Sequence, residues 1–142
     1  MWVCRSGTRF KPQNFWGIFY MHTAYTRNHA LARRGEAYAA QFYRRRGGQV
    51  LAHNVHYVVG EIDLIVLAGE TVIFVEVKTR SRRDFGVAEA VSPRKLARLR
   101  KAARLWLKDK PFAQVRFDVV ALVTCGEGFE LEHYPGVDDG AR

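Results

Sequence analysis

The sequence predicts an α/β sandwich on a central mixed sheet, and three observations carry that prediction. An amphipathic helical pattern runs from about His29 to Arg46, and a second opens at Ser92-Pro93. Three extended segments rich in Val, Ile and Phe lie between the helices, and two more follow the second one. One of these segments, Thr71 to Lys78, is largely apolar on both faces, so it reads as an interior strand covered by helices. The order is α-β-β-β-α-β-β, with no internal repeat.

Each element has a local cause. Leu31, Ala32, Tyr38, Ala39, Phe42 and Tyr43 gather on one arc of the first helix. Arg33, Arg34, Gln41, Arg44 and Arg45 take the other arc, and Glu36 falls on the border. Gly47-Gly48 stops the helix, because glycine tolerates the left-handed conformation at a C-cap. Gln49 to Val55 reads as the first strand. The segments Gly60 to Leu67 and Thr71 to Lys78 then form a hairpin across Gly69-Glu70, with glycine where a type II′ turn wants it. That turn pairs Ala68 with Thr71, and the same register places Asp63 opposite Glu76 and Glu61 opposite Lys78. Ser92 caps the second helix and Pro93 occupies its first position. Leu96, Leu99, Ala103, Trp106 and Leu107 make its apolar stripe, Arg94, Arg98, Lys101, Arg104 and Lys108 its basic ridge, and Pro111 ends it. Val115 to Val123 and Phe129 to Tyr134 are the last strands.

A chain of 142 residues is sized for one domain, here spanning residues 29–134. Residues 1–28 are basic and aromatic, with no acidic side chain. Two readings of them stand: a disordered arm, or residues upstream of a true start at Met21. A signal peptide fits poorly, because the apolar stretch Phe15 to Met21 is short and interrupted by Gly17. Residues 135–142 are polar and Gly-rich and read as a flexible tail.

Lys plus Arg number 23 against 14 Asp plus Glu, for a net charge of +9 and a pI near 10.0. That balance implies a polyanionic partner, nucleic acid or an anionic membrane. Neither helix has the wide apolar face of an interfacial helix, and no apolar run approaches about 18 residues, so nucleic acid is expected and membrane is not. Cys4 and Cys125 lie far apart and form neither a disulfide framework nor a zinc pattern, which fits a reducing compartment and a cytoplasmic location.

Carboxylates facing each other across antiparallel strands lie about 4.5–5.5 Å apart at Cβ and repel. A divalent cation shared by Asp63 and Glu76 would remove that repulsion, and hard oxygen donors suit Mg²⁺ or Mn²⁺. Phosphodiester hydrolysis needs an activated water, a Lewis acid and a cation that steadies developing charge. Asp63, Glu76 and Lys78 supply that set, with the Val77 carbonyl as a further ligand and Glu36 as an additional acid from the first helix. The plainer alternative is a solvated sheet face on which Lys78 pairs with Glu61 or Glu76, worth about 0–1 kcal/mol. Apolar neighbours weigh against it, since charges on an interior strand need a partner or a function. Arg80, Arg82 and Arg83 after Lys78, with Arg94, Arg98 and Lys101 on the ridge, read as phosphate contacts that position a duplex. His53 and His56, three apart on a strand, point to opposite faces and are not read as a zinc site.

The segments Arg34-Gly35-Glu36, Gly60-Glu61-Ile62-Asp63-Leu64-Ile65, Phe74-Val75-Glu76-Val77-Lys78-Thr79-Arg80, Phe85-Gly86 and Arg94-Lys95-Leu96 together resemble the YraN-type uncharacterised bacterial family. That family resembles the PD-(D/E)xK nuclease superfamily and, within it, the archaeal Holliday-junction resolvases. The resemblance implies a restriction-endonuclease-like α-β-β-β-α-β core with Glu36, Asp63, Glu76 and Lys78 clustered as catalytic residues at one end of the sheet. Ile62 stands where the superfamily's name has proline. The activity implied is metal-dependent cutting of nucleic acid, DNA ahead of RNA, at branched or junction structures. Two opposed cuts at a junction call for a symmetric homodimer. The alternative is a non-catalytic nucleic-acid-binding module that keeps the nuclease fold.

Overall fold

A computed structural model describes residues 19–81, 92–112 and 114–137, together with a two-stranded antiparallel ribbon of β1 (Trp2–Val3) and β2 (Arg9–Phe10). Helix α1 spans Phe19–Arg45 and so begins ten residues before the amphipathic pattern. It is followed by β3 (Gln49–Tyr57), β4 (Gly60–Ala68), β5 (Thr71–Arg80), α2 (Pro93–Leu107), β6 (Gln114–Cys125) and β7 (Gly128–Tyr134). The five long strands form one sheet in the order β3-β4-β5-β6-β7. Every pairing in it is antiparallel except β5 with β6, which are parallel and joined through α2, because parallel neighbours need a crossover. The protein is therefore an α/β fold with a mixed sheet, compatible with a restriction-endonuclease-like core.

One helix lies on each face. Ala39, Ala40 and Tyr43 of α1 pack on Leu64, Val66, Ile73, Val75, Val120 and Leu122. On the other face Leu96, Leu99, Ala102 and Ala103 of α2 pack on Ile62, Ile65, Val72, Phe74 and Phe117. Both sides of β5 are thus buried, which is why the strand is apolar throughout its first half and why charges in its second half need an explanation.

The helix ends follow local chemistry. Gly47 closes α1 with φ +82°, and Gly48 N–H donates to Tyr43 O at 2.9 Å. Ser92 Oγ accepts from Lys95 N–H at 3.2 Å at the start of α2. That helix stops at Leu107, ahead of Pro111, because Asp109 turns left-handed with φ +64°.

Asp118 is the one buried charged residue of the described core. Its carboxylate accepts from Tyr43 Oη at 2.8 Å, from Arg116 Nε and Nη2 at 2.8 and 2.9 Å, and from Gly136 N–H at 3.1 Å, and it lies 2.8 Å from His133 Nε2. This network ties α1 to β6 and β7. Gly136 and Val137, whose N–H donates to Phe117 O at 2.9 Å, carry ordered structure past Tyr134. No helix among the described residues is long and apolar enough to cross a membrane.

Candidate functional site

The β4–β5 ladder follows the predicted register from Ala68↔Thr71 to Leu64↔Val75 and then stops. Asp63 and Glu76 would be the next pair. Asp63 Oδ2 instead accepts the Val77 N–H at 2.8 Å, so a side-chain oxygen takes the place of a ladder acceptor. On its other side β4 pairs His53↔Leu64 and then Val55↔Ile62. Asn54, between them, has φ +47°, a left-handed conformation that asparagine tolerates better than most residues. Regular pairing therefore lapses on both flanks of Asp63.

A cleft of about 500 Å³ opens there, bounded by α1, the ends of β3, β4 and β5, and α2. Of the residues expected at a site, Glu36, Asp63, Glu76, Val77, Lys78 and Arg98 line it together. Lys95, Asn54, His56 and Arg33 line it as well. Glu36 reaches the cleft because α1 rests on β5 at Gly35, where a Cβ would come 2.0 Å from Thr79 Oγ1. The contact is tight enough that Thr79 Oγ1 is buried without a hydrogen-bond partner.

The charges are not arranged as a simple register would have it. Glu61, expected opposite Lys78, reaches across to β3 instead, with Oε2 3.7 Å from His56 Nδ1. Lys78 Nζ stands 3.5 Å from Glu76 Oε1, the pairing that the plainer alternative supposed. Lys95 Nζ stands 3.5 Å from the same oxygen. Glu76 and Lys78 keep only 18% and 19% of their side-chain surface, so this is no solvated pair. Lys95 also belongs to the site, and its signal in the sequence is its place in the first turn of α2, three residues after the Ser92 cap.

Asp63 is raised to about 7, first by burial and then by the charge of Glu76, with Glu36 adding to the effect. The Val77 N–H and the Lys78 ammonium pull the other way and do not restore it. Lys78 is lowered, chiefly by burial and next by Lys95. Glu36, Asp63 and Glu76 thus crowd one pocket, which Glu61 also lines, and their oxygens match a hard dication in kind. Among the described residues, however, no three acidic, histidine or cysteine side chains form a finished metal site. Glu76 is turned toward two lysines.

Of the expected phosphate contacts, Arg80 is exposed at the end of β5, and Arg94, Arg98 and Lys101 are exposed on α2. Arg82 and Arg83 lie outside the described residues. His56 lines the cleft, and His53 is not among its lining residues.

Fold and cleft together define an α/β protein with a mixed acidic and basic pocket at one end of its sheet. The chain belongs to the uncharacterised protein family UPF0102, the YraN-type family, whose model matches residues 35–122. It is 48% identical over 121 residues to the UPF0102 protein of Corynebacterium efficiens, covering 82% of this chain and 98% of the relative. Over 109 residues it is 44% identical to the UPF0102 protein of Syntrophomonas wolfei, covering 75% and 95%. A UPF0102 protein of Dictyoglomus thermophilum is 36% identical over 108 residues, covering 74% and 92%. The family match takes in Glu36, Asp63, Glu76, Lys78 and Lys95.

Proposed function

We propose that the protein is a Mg²⁺- or Mn²⁺-dependent endonuclease that cuts DNA at branched or junction structures in the cytoplasm. The observation that supports this reading is the convergence of the Glu36, Asp63 and Glu76 carboxylates with the Lys78 and Lys95 ammonium groups on one cleft, with Asp63 raised toward neutrality. A dication bound there supplies Lewis acidity toward the phosphate and a water of lowered pKa. Asp63 and Glu76 hold it. The Val77 carbonyl joins them from the side of β5 whose N–H Asp63 already takes. Glu36 orients the attacking water or completes a second position.

Lys78 steadies the charge that develops on the phosphate. Arg80, Arg94, Arg98 and Lys101, with Arg82 and Arg83, hold the flanking phosphates and so position the duplex without reading it. Cutting both strands of a junction calls for a symmetric homodimer.

The test is a labelled four-way junction incubated with and without Mg²⁺ or Mn²⁺. Cutting should require metal, and Asp63→Ala should abolish cutting while binding survives.

One observation favours a second reading, a non-catalytic nucleic-acid-binding module: a single Glu76 oxygen is already held by both Lys78 and Lys95. Firm binding with no cleavage across both metals would select it.

A further inference from the structure

The hairpin between β3 and β4 breaks a rule of turn chemistry. Tyr57 pairs with Gly60, so Val58-Val59 is a two-residue loop. Such loops favour positive φ and residues such as Asn, Asp and Gly. Here both positions are β-branched and apolar, and neither takes a positive φ. Val58 is fully exposed and Val59 is 38% exposed. A departure from local rules with no gain in packing is expected where a surface has work to do.

The tip is braced rather than loose. Gly60 sits against α2 so closely that a Cβ would come 2.6 Å from the Arg98 carbonyl oxygen. Arg98 Nε also donates to Val59 O at 3.5 Å. Because Arg98 lines the cleft, the tip stands at its rim. Val59 is four residues from Asp63 along β4, about 13 Å at the rise of a strand, which corresponds to roughly four nucleotides along one DNA strand.

Two valines are far too small for a standard protein interface of about 800 Å² per partner. Beside Arg98, they suit the apolar face of a base flanked by phosphates. Apolar wedges enter nucleic acid between base steps, and unstacking costs least where pairing is already interrupted. Resting on the nuclease reading above, we propose that Val58-Val59 is a wedge that packs on the terminal base pair of a branch and places the cleft roughly four nucleotides away.

The experiment measures binding by fluorescence anisotropy in Ca²⁺, without cleavage, on a linear duplex and a matched four-way junction carrying 2-aminopurine at the branch. The variant is Val58→Asn/Val59→Gly, whose turn is a favoured one, so its Tm should match or exceed that of the natural chain. The natural chain should bind the junction about tenfold tighter than the duplex and brighten the 2-aminopurine, and the variant should lose both effects while binding the duplex unchanged. A variant that keeps the junction preference overturns the wedge and leaves the nuclease reading standing, whereas a natural chain with no preference overturns the wedge together with the junction selectivity and leaves only metal-dependent cutting of DNA. A natural chain that binds neither DNA overturns both.

Discussion

Lys95, from the first turn of α2, holds its ammonium 3.5 Å from Glu76 Oε1, the oxygen that Lys78 approaches at the same distance. Two elements far apart in sequence thus neutralise one carboxylate. A dication at Glu76 must displace at least one of these ammonium groups. Because Lys95 is the more exposed of the two, its pair with Glu76 is worth at most about 1 kcal/mol. Lys95→Ala should therefore tighten Mn²⁺ binding by about two- to fivefold in calorimetry. Unchanged or weaker binding would mean that Lys95 does not compete for Glu76.

Asp63 makes a second prediction through its charge. Its folded value, about 7, lies above the ordinary 3.8, so its contribution to stability is complete below the ordinary value and is lost as pH rises through about 7. At pH 8 the ionised carboxylate is a burden on the fold. Asp63→Asn should then stabilise the protein by about 1–3 kcal/mol at pH 8, with the gain shrinking toward pH 4. Thermal unfolding across that range is the measurement. Millimolar Mg²⁺ should raise the Tm of the natural chain and leave the variant unmoved.

The Asp118 network gives the opposite sign. Burial pushes its carboxyl up, but the bonds from Arg116, His133, Tyr43 and the Gly136 N–H outweigh burial and hold it below the usual carboxylate range. Its stabilising contribution is therefore present above the ordinary value and lost as pH falls through the lower folded one. Asp118→Asn should cost about 2–4 kcal/mol at pH 7, and Tyr43→Phe about 1–2 kcal/mol. Urea unfolding should show the Asp118→Asn penalty shrinking in acid. A penalty that holds constant to pH 2 would assign the role to shape rather than charge.

Gly35 and Thr79 form a testable steric pair. Gly35→Ala drives a methyl into Thr79 Oγ1, so it should cost about 1–3 kcal/mol and shift Glu36 away from the cleft. Thr79→Ala should cost little, because the lost hydroxyl has no hydrogen-bond partner. Combining the two should recover a good part of the Gly35→Ala loss, giving a coupling energy beyond about 0.5 kcal/mol. Simple additivity would refute the contact.

Much of this architecture is legible in residue order alone. Gly69, with φ +61°, sets the hairpin register that pairs Ala68 with Thr71, and Ser92-Pro93 marks the start of α2. The apolar β5 announces helices on both faces. These features depend on neighbours two to four residues apart, and local sterics suffice to write them. Tertiary structure alone decided where pairing stops at Asp63, that Lys95 rather than Glu61 joins Lys78, and that Asp118 is locked by Tyr43 and His133. In each of these a charge chooses its partner from another element, and that choice turns on burial and distance, which no local pattern encodes.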